Sequence, residues 1–202
     1  MKHHDVAILI LAAGESKRMG KPKQQLKFNE TTLLEHSVDS SLHSMAGNVL
    51  VVLGSNHLQH LQILEGKSIK IVYHADWQKG IGSSIKIGVR NILEENINIQ
   101  AILILVCDQP LLSTVILNDL IETYKEKLPM AVASSYNDTF GVPAIFDRSL
   151  FNDLLKISND SGAKEVLNKF KNKLLSIPFS GGEIDLDTPK DYKNFIYHNS
   201  KL

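Results

Sequence analysis

The most constraining part of the sequence is residues 6–23, where an apolar run leads into a small, basic loop. Residues 6–11, Val-Ala-Ile-Leu-Ile-Leu, are all apolar, which is typical of a short strand buried on both faces of a sheet. The chain then passes through Gly14 into a loop that carries two cations, Arg18 and Lys23. Backbone N–H groups can be approached closely where no bulky Cβ stands, so this arrangement is suited to holding phosphate groups.

Two widespread phosphate-binding motifs do not describe this loop. The P-loop needs Gly-Lys-Ser/Thr after its first glycine and a four-residue spacer. Here five residues separate Gly14 from Gly20, and Pro22 follows Lys21. The dinucleotide-binding pattern Gly-x-Gly-x-x-Gly fails at its third position, which is Ser16. The loop therefore belongs to another class.

The pattern over residues 11–23, Leu-Ala-Ala-Gly-x-Ser-x-Arg-Met-Gly-x-x-Lys, resembles the signature loop of the MobA-like nucleotidyltransferases related to the molybdenum cofactor enzymes. In that family the loop wraps the triphosphate of a nucleotide. The resemblance implies that Arg18 and Lys23 neutralise the phosphates. It also implies nucleotide contacts from the start of the loop, at Leu11, Ala12, Ala13, Gly14 and Ser16. The alternative is an ordinary basic loop between a strand and a helix.

Strands and helices alternate along the chain. After the first strand, apolar runs predict strands at 49–53, 69–73, 101–106, 130–134, 141–146, 174–177 and 183–186. Helices are predicted at 31–45, 57–64, 83–95, 113–127, 150–155 and 163–170, and from Pro189 onward. This alternation predicts an α/β fold of the Rossmann-like, doubly wound kind, with a mostly parallel sheet, helices on both faces and 101–106 as the central strand. The resemblance implies the nucleotide-diphospho-sugar transferase type of this fold.

Length and charge limit the classes of function. A chain of 202 residues favours one domain, and the resemblance divides it into a nucleotide-binding half, about 1–110, and an acceptor-binding half, about 111–202. Lys and Arg balance Asp and Glu at 22 each, so no net field attracts nucleic acid or an anionic membrane. The single Cys107 fits a reducing compartment, and neither a membrane-spanning run nor a signal-peptide pattern is present. We expect a cytoplasmic protein.

Asp108 follows the most apolar run of the chain and precedes Gln109 and Pro110. A carboxylate at the tip of a central strand is held rigidly at the edge where such sheets bind ligands. Magnesium takes oxygen ligands, usually one or two carboxylates completed by phosphates and water. The resemblance implies that Asp108 is the magnesium ligand of the family's Asp-x-Pro motif. The alternative is an aspartate that caps the following turn.

Residues 185–189, Asp-Leu-Asp-Thr-Pro, resemble an Asp-x-Asp-Thr-Pro or Asn-x-Asn-Thr-Pro sequence near the C-terminus of family members. The resemblance places Asp185 near the metal, with Asp187 as the less favoured partner. If the segment is a strand, both carboxylates point to the same face. Alternatively, Asp187 and the Thr-Pro that follows it only start the last helix.

Residues 80–84, Gly-Ile-Gly-Ser-Ser, precede a predicted helix and leave room for a flat base and sugar. Family members carry a similar stretch against the nucleoside, which assigns nucleotide contacts to Gly80, Gly82, Ser83 and Ser84. The alternative is an ordinary turn in which Ser83 caps the helix. Trp77 lies just upstream, and we expect it to pack against the protein rather than to stack on a base.

Two stretches of the second half resemble the molybdopterin cytidylyltransferase branch of the family. Residues 140–144 match its Gly-x-Pro stretch, and residues 159–164 match Gly-Asp-x-Gly-Ala-Arg except at two positions. Asn159 replaces the glycine and Lys164 replaces the arginine. A lysine is a point charge where arginine is a planar fork, so the acceptor is less well defined than the nucleotide site.

Other reactive side chains form no recognisable group in the sequence. His57 and His60 are three residues apart on a predicted helix, but no further metal ligand lies nearby. Cys107 stands at the end of a buried strand, where a cysteine usually behaves as a small apolar residue. No covalent nucleophile or general base is evident, and phosphoryl-type transfer can proceed by positioning and charge neutralisation alone.

These features together indicate a Mg²⁺-dependent nucleotidyltransferase. The resemblance favours CTP as donor, because Ala12-Ala13-Gly14 is closer to the CTP-using branch than to the GTP-using one. It implies a molybdopterin-type or other phosphate acceptor, and a molybdoenzyme as a further partner. The alternatives are a guanylyltransferase, a sugar- or polyol-phosphate nucleotidyltransferase of the same fold, and a non-catalytic nucleotide-binding chaperone that delivers the cofactor.

Overall fold

A seven-stranded sheet runs through the molecule, seen in a computed structural model that describes residues 2–199. The strands in chain order are β1 (His3–Ala12), β2 (Lys27–Phe28), β3 (Thr31–Thr32), β4 (Ala46–Leu53), β5 (Lys70–Tyr73), β6 (Ala101–Val106), β7 (Ala131–Tyr136), β8 (Thr139–Asp147) and β9 (Leu174–Pro178). The sheet order is β5-β4-β1-β6-β8-β7-β9, while β2 and β3 form a separate short hairpin. Only β8 runs against its two neighbours, so the predicted mostly parallel α/β sheet with β6 at its centre is confirmed.

Helices cover both faces of this sheet, as the alternation predicted. They are α1 (Leu33–His43), α2 (His57–Ile63), α3 (Ile81–Glu95), α4 (Thr114–Lys127), α5 (Phe151–Lys156), α6 (Lys164–Lys169) and α7 (Pro189–Asn199). Apolar side chains of α1 and α4 pack on one face, and those of α3, α5 and α6 pack on the other. No helix within residues 2–199 combines the length and the apolar character needed to cross a bilayer.

Strand β1 is buried on both faces, which explains why its sequence is uninterruptedly apolar. Val6, Ile8 and Ile10 belong to the core cluster on one side of the sheet, while Ala7 and Leu9 belong to the cluster on the other. Parallel ladders to β4 and β6 flank the strand. The carboxyl end of β1, where the loop with Arg18 and Lys23 begins, is therefore held on both sides.

Two helices begin with the same side-chain arrangement. The Thr32 Oγ1 accepts a hydrogen bond from the Glu35 N–H at 3.2 Å, and the Glu35 carboxylate accepts one from the Thr32 N–H at 2.8 Å. Thr188 and Asp191 repeat these two contacts, at 3.2 and 2.8 Å, where α7 begins. Such reciprocal capping satisfies N–H groups that have no partner within the helix. The predicted start of the last helix at Pro189 is confirmed.

The predicted strand at 183–186 is wrong. This segment follows two glycines and makes local bonds instead, such as the Ile184 N–H to the Gly181 carbonyl at 3.1 Å. No neighbouring strand pairs with it among residues 2–199. Leu186 is instead buried in a small third cluster with Met19, Leu33 and Phe195. Ile184, which is partly buried, packs against the same cluster, and the expectation that the two aspartates of the segment share a strand face does not apply.

His60 is a buried titratable side chain away from the candidate site. It is 0 % exposed, and neither ring nitrogen has a hydrogen-bond partner within residues 2–199. Burial, together with the nearby charge of His57, lowers the pKa of His60 from 6.5 to about 4. The folded protein therefore holds this imidazole neutral at pH 7.

We expect His60 to make the protein sensitive to acid. Below pH 6.5 the His60 ring binds a proton in the unfolded chain, whereas in the folded protein it does so only near pH 4. The stability that depends on the neutral ring is therefore fully present above pH 6.5 and is lost as the pH falls toward 4. The loss attributable to His60 at pH 4.5 is about 2–3 kcal/mol. Urea unfolding at pH 7 and pH 4.5 measures how much stability each protein loses between the two pH values. His60→Leu should lose less than the wild type, and the control variant His43→Leu, at an exposed position, should lose as much as the wild type. Equal losses in His60→Leu and the wild type would contradict this account.

Candidate active site

A cavity of about 460 Å³ opens at the carboxyl ends of β1 and β6. Its walls are the loop after β1, the turn that leads into α3, the tip of β6 and Asp187. The predicted site residues that line it are Leu11, Ala12, Ala13, Gly14, Ser16, Arg18, Lys23, Gly80, Ser84 and Asp108. Residues predicted from separate stretches of the sequence are thus brought to one cavity by the parallel strands.

Three predicted site residues, Gly82, Ser83 and Asp185, do not line the cavity. The N–H of Gly82 donates to the Asn159 carbonyl at 2.8 Å, and a Cβ at this position would stand 2.0 Å from the Ser158 carbonyl oxygen. The Ser83 hydroxyl donates to the Gly80 carbonyl at 2.6 Å, so it does not act as the N-cap that was the alternative prediction. Both residues lie inside the first turn of α3 and hold that turn against the protein.

The loop after β1 is closed by its own contacts. The Ser16 hydroxyl accepts a hydrogen bond from the Lys23 N–H at 3.0 Å, although the two residues are seven positions apart in the sequence. Met19, between them, is buried in the third apolar cluster. Ser16 adopts a left-handed backbone conformation with φ of 60°. These features fold the loop back so that Lys23 stands at its mouth.

A network of ion pairs occupies the mouth of this loop. The Lys23 Nζ lies 3.0 Å from the Asp108 Oδ2 and also pairs with the Asp187 Oδ1. Arg18 reaches the second oxygen of Asp187 at 2.7 Å. Burial alone would lower the pKa of the Lys23 ammonium, but the charges and hydrogen bonds of Asp108 and Asp187 outweigh it and raise that pKa. Lys23 is therefore a permanent cation at neutral pH.

The second acidic residue of the 185–189 motif, not the first, faces the cavity. Asp187 makes the ion pairs, whereas Asp185 lies outside the cavity lining. Removal from bulk water, together with the negative charges of Asp108 and Asp187, raises the pKa of Asp185. Asp185 is thus within electrostatic reach of the network, and its metal contact stays a prediction.

Two glutamines that the sequence analysis passed over support the site from within. Gln24 follows Lys23, and Gln109 follows Asp108; each is buried, at 2 % exposure. The Gln109 Nε2 donates to the Val142 and Gly182 carbonyls, both at 3.0 Å. Each glutamine directly follows a charged residue, a position that local pattern assigns to the surface, so nothing in the sequence marks them as buried.

Trp77 and Cys107 also line the cavity. Trp77 is partly buried and packs against the backbone at Gly54. A Cβ added at Gly54 would stand only 2.6 Å from the Trp77 Cβ, which agrees with the expected packing role. Burial, with the neighbouring Asp108 charge, raises the pKa of the Cys107 thiol far above its usual range. Because the thiolate is the reactive form, Cys107 is not a nucleophile at neutral pH.

The stretches of the second half that resemble the cytidylyltransferase branch lie beside the cavity rather than in its wall. The Lys164 Nζ donates to the Thr139 hydroxyl at 2.9 Å. The Asn159 side chain accepts a hydrogen bond from Lys86, while its carbonyl accepts from Gly82. The asparagine that replaces the family's glycine therefore joins this loop to α3.

The residues at the cavity suit a metal ion that arrives with a nucleotide. Across residues 2–199, no group of three or more His, Cys, Asp or Glu side chains is arranged to hold a metal ion, and His57 instead stacks on Tyr73 at 4.0 Å. Asp108 and Asp187 are two carboxylates at one cavity, which matches magnesium, because this ion takes its other ligands from phosphates and water.

Comparison with known proteins gives one family and a close relative. The family described as MobA-like NTP transferase domain matches residues 8–174. The purine catabolism protein PucB of Bacillus subtilis (strain 168) is 32 % identical over 200 residues, which cover 91 % of this chain and 92 % of PucB.

Solved structures share the architecture at low sequence identity. Rv0371c from Mycobacterium tuberculosis H37Rv has a TM-score of 0.81 and 22 % identity, covering 98 % of this chain and 100 % of that one. A complex of Rv0371c with manganese has a TM-score of 0.78 and 20 % identity, over 95 % and 98 % of the two chains. A nucleotidyl transferase from Methanothermobacter thermautotroptrophicus (Mth528) has a TM-score of 0.79 and 20 % identity, over 97 % and 98 %. These similarities show a common fold.

Proposed function

The chain belongs to the MobA-like NTP transferase domain family, and from this premise we propose that it transfers a cytidylyl group from CTP to the phosphate of a molybdopterin-type acceptor. The observation that carries nucleotidyl transfer is the ion-pair network of Lys23, Arg18, Asp108 and Asp187 at the mouth of the phosphate-type loop. Cations beside a loop rich in N–H groups bind a triphosphate, and carboxylates beside them suit its metal ion.

The reaction needs no covalent enzyme intermediate. A phosphate oxygen of the acceptor is already a nucleophile; it attacks the α-phosphorus of CTP and forms a new P–O bond. The bond from the α-phosphorus to the bridging oxygen breaks, and pyrophosphate leaves with the electron pair. Lys23 and Arg18 stabilise the negative charge that spreads over the phosphoryl oxygens. This chemistry agrees with a site where the one thiol is held neutral.

We assign magnesium to Asp108, with Asp187 or Asp185 as the second carboxylate. When bound, the metal ion supplies charge neutralisation at the phosphate oxygens. The manganese complex of Rv0371c supports a divalent metal in this fold, and the donor set of two carboxylates suits magnesium.

Nucleotide and acceptor are assigned to different halves of the chain. Apart from Asp187, the cavity-lining residues lie between Leu11 and Asp108, which supports a nucleotide-binding half of about 1–110. The second half, about 111–202, is then left for the acceptor. The Ala12-Ala13-Gly14 sequence favours CTP, and the stretches at 140–144 and 159–164 favour a molybdopterin-type acceptor through the resemblance alone. The name of PucB refers to purine catabolism and specifies neither substrate.

Two other functions are compatible with the same cavity. A guanylyltransferase, or a transferase acting on a sugar or polyol phosphate, would keep the mechanism and change the substrates. A chaperone that binds nucleotide and hands the cofactor to a molybdoenzyme would use the cavity without turnover. The presence of both cations and of Asp108 favours catalysis over the chaperone.

The deciding experiment is pyrophosphate release with Mg²⁺ and each of CTP, GTP, ATP and UTP, with and without molybdopterin. We expect release with CTP only when molybdopterin is present. Release with GTP would keep the mechanism and replace the donor. Release only with a sugar or polyol phosphate would replace the acceptor, and nucleotide binding without any release would favour the chaperone.

A further inference from the structure

Gln24 is an uncharged, buried side chain at the centre of the candidate site. Its Nε2 donates two hydrogen bonds, to the Ala12 carbonyl at 3.0 Å and to the Gly14 carbonyl at 2.9 Å. Both acceptors belong to the loop that follows β1. One amide group therefore ties together two peptide groups of the phosphate-type loop.

The orientation of those peptides has a consequence for the loop. In a trans peptide the C=O and the N–H point in opposite directions. With the Ala12 and Gly14 oxygens drawn to Gln24, the N–H groups of Ala13 and Glu15 point away from it. The Ala13 carbonyl is held separately, by the Ser55 N–H at 3.0 Å. These three carbonyls are thus occupied by the protein, and the N–H groups of Ala13 and Glu15 are the ones that Gln24 orients for an anion.

Gln24 also connects this loop to Lys23. The Lys23 N–H is bonded to the Ser16 hydroxyl at 3.0 Å, and the next residue along the chain is clamped to Ala12 and Gly14. The backbone that carries the ammonium is therefore held to the first part of the loop, at Ala12, Gly14 and Ser16. Donors that must act together on one polyphosphate gain most from such preorganisation, because no free energy is then spent on arranging them.

Only one end of the Gln24 amide has hydrogen-bond partners. The Gln24 Oε1 is buried and has no hydrogen-bond partner within residues 2–199. A buried, unpaired carbonyl oxygen is unfavourable. An apolar side chain of similar volume would remove this unpaired oxygen but would leave the Ala12 and Gly14 carbonyls without their donor, so the contribution of the amide lies in the two carbonyls that its N–H groups hold.

We propose that Gln24 is a positioning residue that sets the affinity of the site for the triphosphate chain rather than for the nucleoside. This inference rests on the proposed nucleotidyltransferase function and deepens it. Gln24 acts through the loop amides and through Lys23, and it does not itself touch the reacting atoms. A residue that only anchored the loop would affect triphosphate and monophosphate alike.

The test compares Gln24→Met with Gln25→Met. Methionine keeps the length of the side chain and removes both donors. The neighbouring Gln25 is a matched control, since its amide bonds the Gln59 side chain at the surface, at 2.8 Å. Calorimetry with CTP and with CMP, in the presence of Mg²⁺ and without acceptor, gives the two dissociation constants for each protein. If the wild type prefers GTP, then GTP and GMP replace them.

We expect Gln24→Met to weaken CTP binding at least tenfold and CMP binding less than twofold, with both values unchanged in Gln25→Met. Unchanged CTP binding, or an equal loss for CTP and CMP, would overturn the inference while the proposed function stands. If the wild type binds no nucleoside triphosphate, the proposed function fails first. Should Gln24→Met not fold, Gln24→Asn carries the test, because its shorter amide cannot reach both carbonyls.

Discussion

Lys23→Ala is expected to lower kcat for pyrophosphate release by about 10²–10³-fold, the usual cost of removing one preorganised donor that stabilises transition-state charge. Lys23 pairs with both Asp108 and Asp187 and is mostly buried, whereas the more exposed Arg18 pairs with Asp187, so Arg18 does not reproduce the position of the Lys23 ammonium. Alanine keeps the backbone bond to the Ser16 hydroxyl, and the loop should retain its shape.

The effect of Lys23→Ala on folding should be small by comparison. The side chains left behind, Asp108 and Asp187, are 25 % and 28 % exposed to water, and Arg18 still pairs with Asp187, so we expect Tm to fall by no more than about 4 °C. Steady-state kinetics and thermal unfolding of the same preparation separate the two effects. The matched control is Lys127→Ala, at the exposed end of α4. A Lys23→Ala protein with full turnover would remove the basis of the proposed mechanism.

Asp108→Asn should lower kcat/KM by about a hundredfold or more, because a metal ion contributes several kcal/mol to charge stabilisation during phosphoryl-type transfer. Asparagine has the same size as aspartate but is neutral, so it weakens the attraction for a divalent cation. The end of β6 should be undisturbed, since Gln109 still holds the Val142 and Gly182 carbonyls.

Magnesium titrations distinguish a metal ligand from a residue that only pairs with Lys23. If Asp108 is a metal ligand, Asp108→Asn should need a higher Mg²⁺ concentration for half-maximal rate, and high Mg²⁺ should restore part of its activity. The exposed Asp119→Asn on α4 changes the charge equally and should behave as wild type. A reduced rate with an unchanged Mg²⁺ requirement would assign Asp108 to Lys23 alone.

Local patterns along the chain predicted most of the fold. Unbroken apolar runs identified β1 and β6 as strands buried on both faces, and both lie inside the sheet. Pro189 marked the start of the last helix correctly, because this signal depends on side chains within one turn. The strand expected at 183–186 failed, since the pairing of a short segment depends on whether a neighbouring strand is available.

The placement of the two aspartates shows what local pattern cannot decide. Sequence alone favoured Asp185, while the structure turns Asp187 toward Arg18 and Lys23. Leu186, which lies between the two aspartates, is buried in the same cluster as Met19 and so brings this segment to the loop that carries Arg18. The segments that carry Lys23 and Asp187 are therefore held together, although more than 160 residues separate the two in the sequence.

The sequence by itself determined the α/β fold, the loop after β1 that carries Arg18 and Lys23, and the place of Asp108 beyond the end of the central strand. These depend on the period of apolar residues and on motifs in consecutive positions. Only the tertiary structure decided that Asp187 joins the cations and that Gln24 and Gln109 hold the loops around them. Those contacts join distant segments, and their geometry follows from which side chains the core buries.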